Sequence, residues 1–70
     1  QLNEFQQAFG KRVRIARQQK LLSLKQLSAM QGMSEGYLSR LECGKINATL
    51  DVMRRLAQSL DVPARFFFDW

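Results

Sequence analysis

The chain has 70 residues, 46% of them hydrophobic and 24% charged, with a formal net charge of +5. That length makes one domain with a modest core, and the basic surplus suits a polyanion, nucleic acid ahead of an anionic membrane, against the plain alternative of a solvated basic surface. With no histidine and one cysteine, Cys43, Ser-His and Cys-His catalysis, zinc sites of His or several Cys, and intrachain disulfides are excluded, as suits a reducing cytosol. No paired carboxylates or phosphate loop point to an enzyme, and no cofactor or metal is implied. No run of about 20 apolar residues suits a membrane span, and no signal peptide is expected. The chain opens on Gln1 without a Met, which reads as a fragment or a processed chain.

Apolar residues recur at helical spacing, and β-branched residues never alternate over a strand-length run, so strands are not expected. The first helix runs from about Glu4 to Gln19, with Asn3 as N-cap and Gln6 placed for a capping box. Phe5, Phe9, Val13 and Ala16 form its apolar stripe; Lys11, Arg12 and Arg14 fall off it, toward solvent or a phosphate backbone. Ser23 caps a second, short helix whose face is Leu24, Leu27 and Met30 and which ends at Gln31. Gly32 takes the left-handed conformation that stops it, and a Cβ there is expected to meet the following backbone. Met33 is a buried residue of the turn. Ser34 caps a third helix with Leu38 and Leu41 inward, and Gly44 ends it. Thr49 caps a fourth, with Met53, Leu56, Ala57 and Leu60 as its core face. Pro63 fits the first turn of a fifth short helix. The closing Phe66, Phe67, Phe68 and Trp70 are too apolar for a free tail; some of them close the core, alone or with the rest forming a dimer contact or packing on a further domain beyond Trp70.

The fold class is therefore all-α, five short helices in one domain spanning residues 1–70. The Ser23 cap, Gly32 break, Ser34 cap and Gly44 stop set two helices about a turn apart, the layout of a helix-turn-helix. The segment from Ser23 to Lys45, with Leu27, Gly32, Met33, Ser34, Leu38, Ser39, Leu41, Glu42, Gly44 and Lys45 in register, resembles the phage repressor/Cro-type (XRE family) helix-turn-helix. The resemblance extends to Phe9-Gly10-Lys11-Arg12-Val13 and Arg17, and to Leu50 through Phe67 with its Leu60-Asp61-Val62-Pro63 junction.

The resemblance implies a lambda-repressor-like domain that binds double-stranded DNA as a transcriptional regulator, in the cytoplasm of a bacterium or phage host, as a homodimer on a pseudo-palindromic site. It places the helix Ser34–Cys43 in the major groove, with Ser34, Glu35, Gly36 and Arg40 at base-facing positions. Arg40 suits guanine O6 and N7, Glu35 suits a cytosine amino group, and Gly36 permits close approach. Phosphate contacts fall to Lys25, Lys45, Asn47 and the helix start at Thr49, with Tyr37 and Ser39 beside them and Lys11 and Arg14 as further additions. Arg17 and Glu42 are, by resemblance, a partly buried ion pair; from the residues alone, two solvated charges remain open.

Plain alternatives stand beside these roles. Arg40 and Lys25 can be solvated surface charges, Glu35 can serve its own helix N-terminus, Tyr37 can be half-buried packing, and Cys43 a spectator thiol. Leu24 stands where many relatives carry a phosphate-binding glutamine, Ser28 where alanine is usual and Ala48 where proline is frequent. An alternative function is a protein-interaction module, since some bacterial morphogenesis proteins use this fold to bind a cytoskeletal filament and share the Ser-Leu start of helix 2.

Overall fold

The computed structural model describes residues 4–70, so the expected Asn3 cap and its box with Gln6 lie outside the described residues. The chain runs through α1 (Glu4–Gln19), α2 (Leu24–Gln31), α3 (Glu35–Glu42) and α4 (Leu50–Leu60) to a 3₁₀ turn at Ala64–Phe68. There is no strand among the described residues. None of their helices is long and apolar enough to cross a membrane.

Each short helix starts where a hydroxyl can take a free backbone N–H. Ser23 Oγ accepts from Gln26 N at 3.0 Å, and the Gln26 side chain accepts from Ser23 N at 2.8 Å, completing a capping box. Ser34 Oγ accepts from Tyr37 N at 3.0 Å and Thr49 Oγ1 from Val52 N at 3.2 Å. Caps of this kind contribute about 1 kcal/mol each, which matters for helices too short to hold themselves. α2 ends at Gly32 and α3 just before Gly44, at φ of 68° and 79°. The stops of α1 and α4 use no glycine: Leu21 and Asp61 take left-handed φ of 59° and 55°, at a cost of roughly 1–2 kcal/mol for the leucine.

Phe9, Val13, Ala16, Leu27, Leu38, Leu41, Leu56, Ala57, Leu60 and Phe67 form the buried core. Fully burying a Leu or Phe side chain contributes about 1.5–3 kcal/mol, so the ten residues hold the helices around one centre. Several expectations are corrected here. Met30 is not on the inner face of α2; it is 53% exposed, and Ser28 is buried instead. Three residues at successive spacings of three drift 120° round a helix, whereas Leu24, Leu27 and Ser28 stay on one side. Ser28 is tolerated inside because its hydroxyl donates to the Lys25 carbonyl at 2.8 Å. Met33 and Met53 are half-buried against the core, not fully inside it. Phe5 is also outside, packed on the chain's last aromatics. The fifth helix is a 3₁₀ turn, and Pro63 precedes it as its cap residue with extended backbone.

Arg12 does not reach toward a phosphate. Its Nε donates to the Phe66 carbonyl at 2.9 Å and its guanidinium lies 4.0 Å from the centre of the Phe66 ring. It fastens the C-terminal turn to α1, an arrangement in which one side chain satisfies a carbonyl and stacks on the ring beside it.

Candidate nucleic-acid interface

α2 and α3 meet through a turn in which Met33 N donates to the Ser28 carbonyl at 3.1 Å. Gly32 is needed here for its φ of 68° alone: a Cβ built on it finds nothing within 4 Å, so the expected backbone clash does not exist. The close approaches lie elsewhere. A Cβ on Gly10 would stand 2.3 Å from the Leu41 carbonyl oxygen, and one on Gly44 would stand 2.7 Å from Gln7 Cα. α1 therefore lies directly against the backbone at the end of α3, closer than any side chain permits.

The same end of α3 is held by charge. Arg17 Nε and Nη2 donate to the two Glu42 carboxylate oxygens at 2.7 and 3.0 Å, while Nη1 donates to the Leu22 carbonyl at 2.8 Å. The two side chains are only 11% and 6% exposed. This is a two-pronged pair with the third arm of the guanidinium satisfied, the geometry in which a buried pair can repay its desolvation. On the other flank, Arg55 of α4 donates to the Gln31 carbonyl at the end of α2. α3 is thus fixed on α1, and α2 on α4.

Held this way, α3 turns Ser34, Glu35, Gly36, Ser39 and Arg40 to solvent, with Tyr37 half-buried against the core. An ideal Cβ on Gly36 would lie 3.4 Å from an Arg40 guanidinium nitrogen. Arg40 therefore lies alongside the bare backbone of Gly36, and the two positions form one surface. Ser34's oxygen already accepts from Tyr37 N, which leaves its proton to donate outward. Glu35 occupies the first position of α3, where the helix dipole favours its charge.

Lys25, Lys45, Asn47 and Thr49 are exposed as well. Ion pairs among the described residues involve Arg17 with Glu42, Lys20 with Asp61 and Arg54 with Asp51, so Arg40, Lys25 and Lys45 are free of a carboxylate partner. Asp51, near the start of α4, accepts from Arg54 at 2.6 Å. That hydrogen bond holds its carboxyl below the usual range and offsets its negative charge beside Thr49. Leu24 is half-buried against the core, so it does not substitute for a phosphate-binding side chain. Cys43 is an exposed free thiol.

Two residues support the site in ways that the sequence reading did not assign to them. Arg55 belongs to the periodic polar face of α4 and carries no signal of its own. Gly10 lies mid-helix, where a glycine costs about 1 kcal/mol against alanine; that penalty is the only hint of a close approach.

A family model for the helix-turn-helix matches residues 13–67. The chain belongs to the XRE-type helix-turn-helix family of DNA-binding transcription regulators. This XRE-type domain is similar to the restriction-modification controller protein C.AhdI from Aeromonas hydrophila, at 34% identity and a TM-score of 0.83 over 89% of this chain and 94% of that one. It also shares the fold of the clp gene regulator ClgR from C. glutamicum, with a TM-score of 0.88 at 24% identity, over 94% and 86% of the two chains. A search of curated proteins finds no match. The family and these two neighbours are regulatory proteins, not enzymes.

Proposed function

We propose that this XRE-type domain binds a specific double-stranded DNA site as a transcriptional regulator, inserting α3 into the major groove. The observation that carries this is the free edge of α3. A rigidly braced helix presents Ser34, Glu35, Gly36 and Arg40 outward, with Arg40 free of a carboxylate partner among the described residues and so available to a base edge. Arg40 donates to guanine O6 and N7, Glu35 accepts from a cytosine amino group, and Gly36 lets the backbone come close. Lys25, Lys45 and Asn47 hold phosphates, as do the N–H groups at the Thr49 helix start, with Tyr37 and Ser39 at the margin. Residues 1–70 act as one DNA-binding unit in the cytoplasm.

Two copies bind a pseudo-palindromic operator with half-sites about 34–36 Å apart, one turn of the duplex. Similarity to a restriction-modification controller and to a gene regulator supports a regulatory role, in which occupancy of such a site changes transcription. Selection from a random duplex library tests the proposal. The expected result is enrichment of a two-fold repeated motif by the wild-type chain and loss of the preference for one guanine in each half-site with Arg40→Ala. Recovery of no motif by the wild-type chain overturns it.

A further inference from the structure

Gly36 has no conformational reason to be a glycine. The glycines with left-handed φ are Gly32 and Gly44, whereas Gly36 lies inside α3 with ordinary helical backbone. A glycine in a helix is a poorer choice than alanine. Nor does packing demand it, as it does at Gly10. Beyond the flanking residues and the helix's own backbone, the one atom within 4 Å of a Cβ built at position 36 is Arg40 Nη1, at 3.4 Å.

That contact shows where the arginine goes. Positions 36 and 40 are one turn apart on the same face, and a helical side chain leans toward the N-terminal turn. The Arg40 guanidinium is folded back over the bare backbone of Gly36, in the place that a longer side chain at 36 would take.

The fold-back changes what Arg40 can reach. At about 1.5 Å of rise per residue, the Arg40 backbone stands about 7.5 Å along α3 from Glu35, or roughly two steps of about 3.4 Å in the duplex. Its guanidinium, level with Gly36, stands only about 1.5 Å from Glu35 along the axis, within one step. No ion pair joins the two among the described residues, since adjacent helical positions do not face each other. An acceptor and a forked donor are therefore both available at the N-terminal end of α3.

We infer that Gly36 is a positioning residue for base reading. It seats Arg40 one turn toward the start of α3, so that Arg40 and Glu35 read a guanine and a cytosine in the same or adjacent base pairs. This deepens the groove insertion proposed above and rests on it.

Two measurements test the inference. In the free chain, a nuclear Overhauser effect between the Gly36 α-protons and the Arg40 δ- or guanidinium protons is expected; its absence overturns the seat without bearing on DNA binding. The second is discrimination, the ratio of affinities for the selected duplex and for one with the guanine replaced. Gly36→Leu fills the seat and should lower that ratio by about tenfold, the scale of one bidentate contact. Gly36→Ala, whose methyl only touches Nη1, should keep most of it. In an Arg40→Ala background, Gly36→Leu should lower the ratio no further. A general loss of approach to the groove cancels in a ratio, so it does not imitate this pattern. Leucine and alanine are better helix formers than glycine, and melting curves check that both variants fold. An unchanged ratio with Gly36→Leu, a further loss in the Arg40→Ala background, or a selected guanine two or more pairs from the cytosine overturns the seat and leaves groove reading standing. A wild-type chain that enriches no motif sinks groove reading and this inference with it.

Discussion

Arg17 and Arg40 are the same residue type 23 positions apart in one basic chain, and the fold gives them opposite surroundings. Arg17 lies in a nearly closed seam, its three donor groups taken by Glu42 and the Leu22 carbonyl. Arg40 lies on the open side of α3 beside Gly36, with no carboxylate partner among the described residues. The comparison extends to their surroundings: the seam between α1 and α3 is satisfied and tight, whereas the outer edge of α3 is left unsatisfied. A surface that reads a groove must keep its donors available, and the helix bearing them must not move when they engage. In the proposed complex with DNA, the seam supplies the rigidity and the edge supplies the chemistry.

The comparison breaks if the seam can be cut cheaply. Glu42→Ala strands the Arg17 charge, and the expected cost is about 3–5 kcal/mol, read as a lower denaturation midpoint. Arg17→Met with Glu42→Leu should recover much of that loss, because the buried charges then go together. Gly10→Ala sharpens the point through its sign. In an open helix the change would stabilise by about 1 kcal/mol. Against the Leu41 carbonyl it should instead cost about 1–3 kcal/mol, since backbone must shift to admit the methyl. A rise in melting temperature would mean that α1 and α3 are not in such close contact.

The outer edge should behave in the opposite manner. Arg40→Ala is expected to leave the melting temperature nearly unchanged and remove about 1–3 kcal/mol of discrimination at one guanine, measured on matched and mismatched duplexes. Lys45→Ala should weaken binding to all sequences alike and lower the slope of log affinity against log salt by about 0.9, if it neutralises one phosphate. The smallest effect concerns Asp51. The hydrogen bond from Arg54 lowers its pKa in the folded state. Its contribution is therefore present above the ordinary carboxylate range and disappears as pH falls through the lowered folded value. The melting temperatures of wild type and Asp51→Asn should differ slightly near neutral pH and converge in acid; a constant gap would assign the effect to something other than ionisation.

Legibility followed the range of each interaction. The starts at Ser23, Ser34 and Thr49 could be read because each cap bonds a backbone N–H three residues on. Gly32 was read as a stop for the right conformation, but with a clash that open space around it rules out. Met30 failed because spacing by three approximates a helix face only over one turn. The outward edge of α3 was legible only through family register, since nothing in Glu35 or Arg40 alone separates a DNA contact from a solvated charge.

By itself the sequence determined the helical class, the three hydroxyl caps and the break at Gly32. These depend on hydrogen bonds and dihedral preferences within a few residues. Only the tertiary structure decided that Arg12 serves the Phe66 carbonyl 54 positions away, that Gly10 lies against the Leu41 backbone, and that Phe5 joins Phe68 and Trp70 at the surface. Those contacts join segments far apart in the chain, and their geometry exists only once the helices have packed around the shared core.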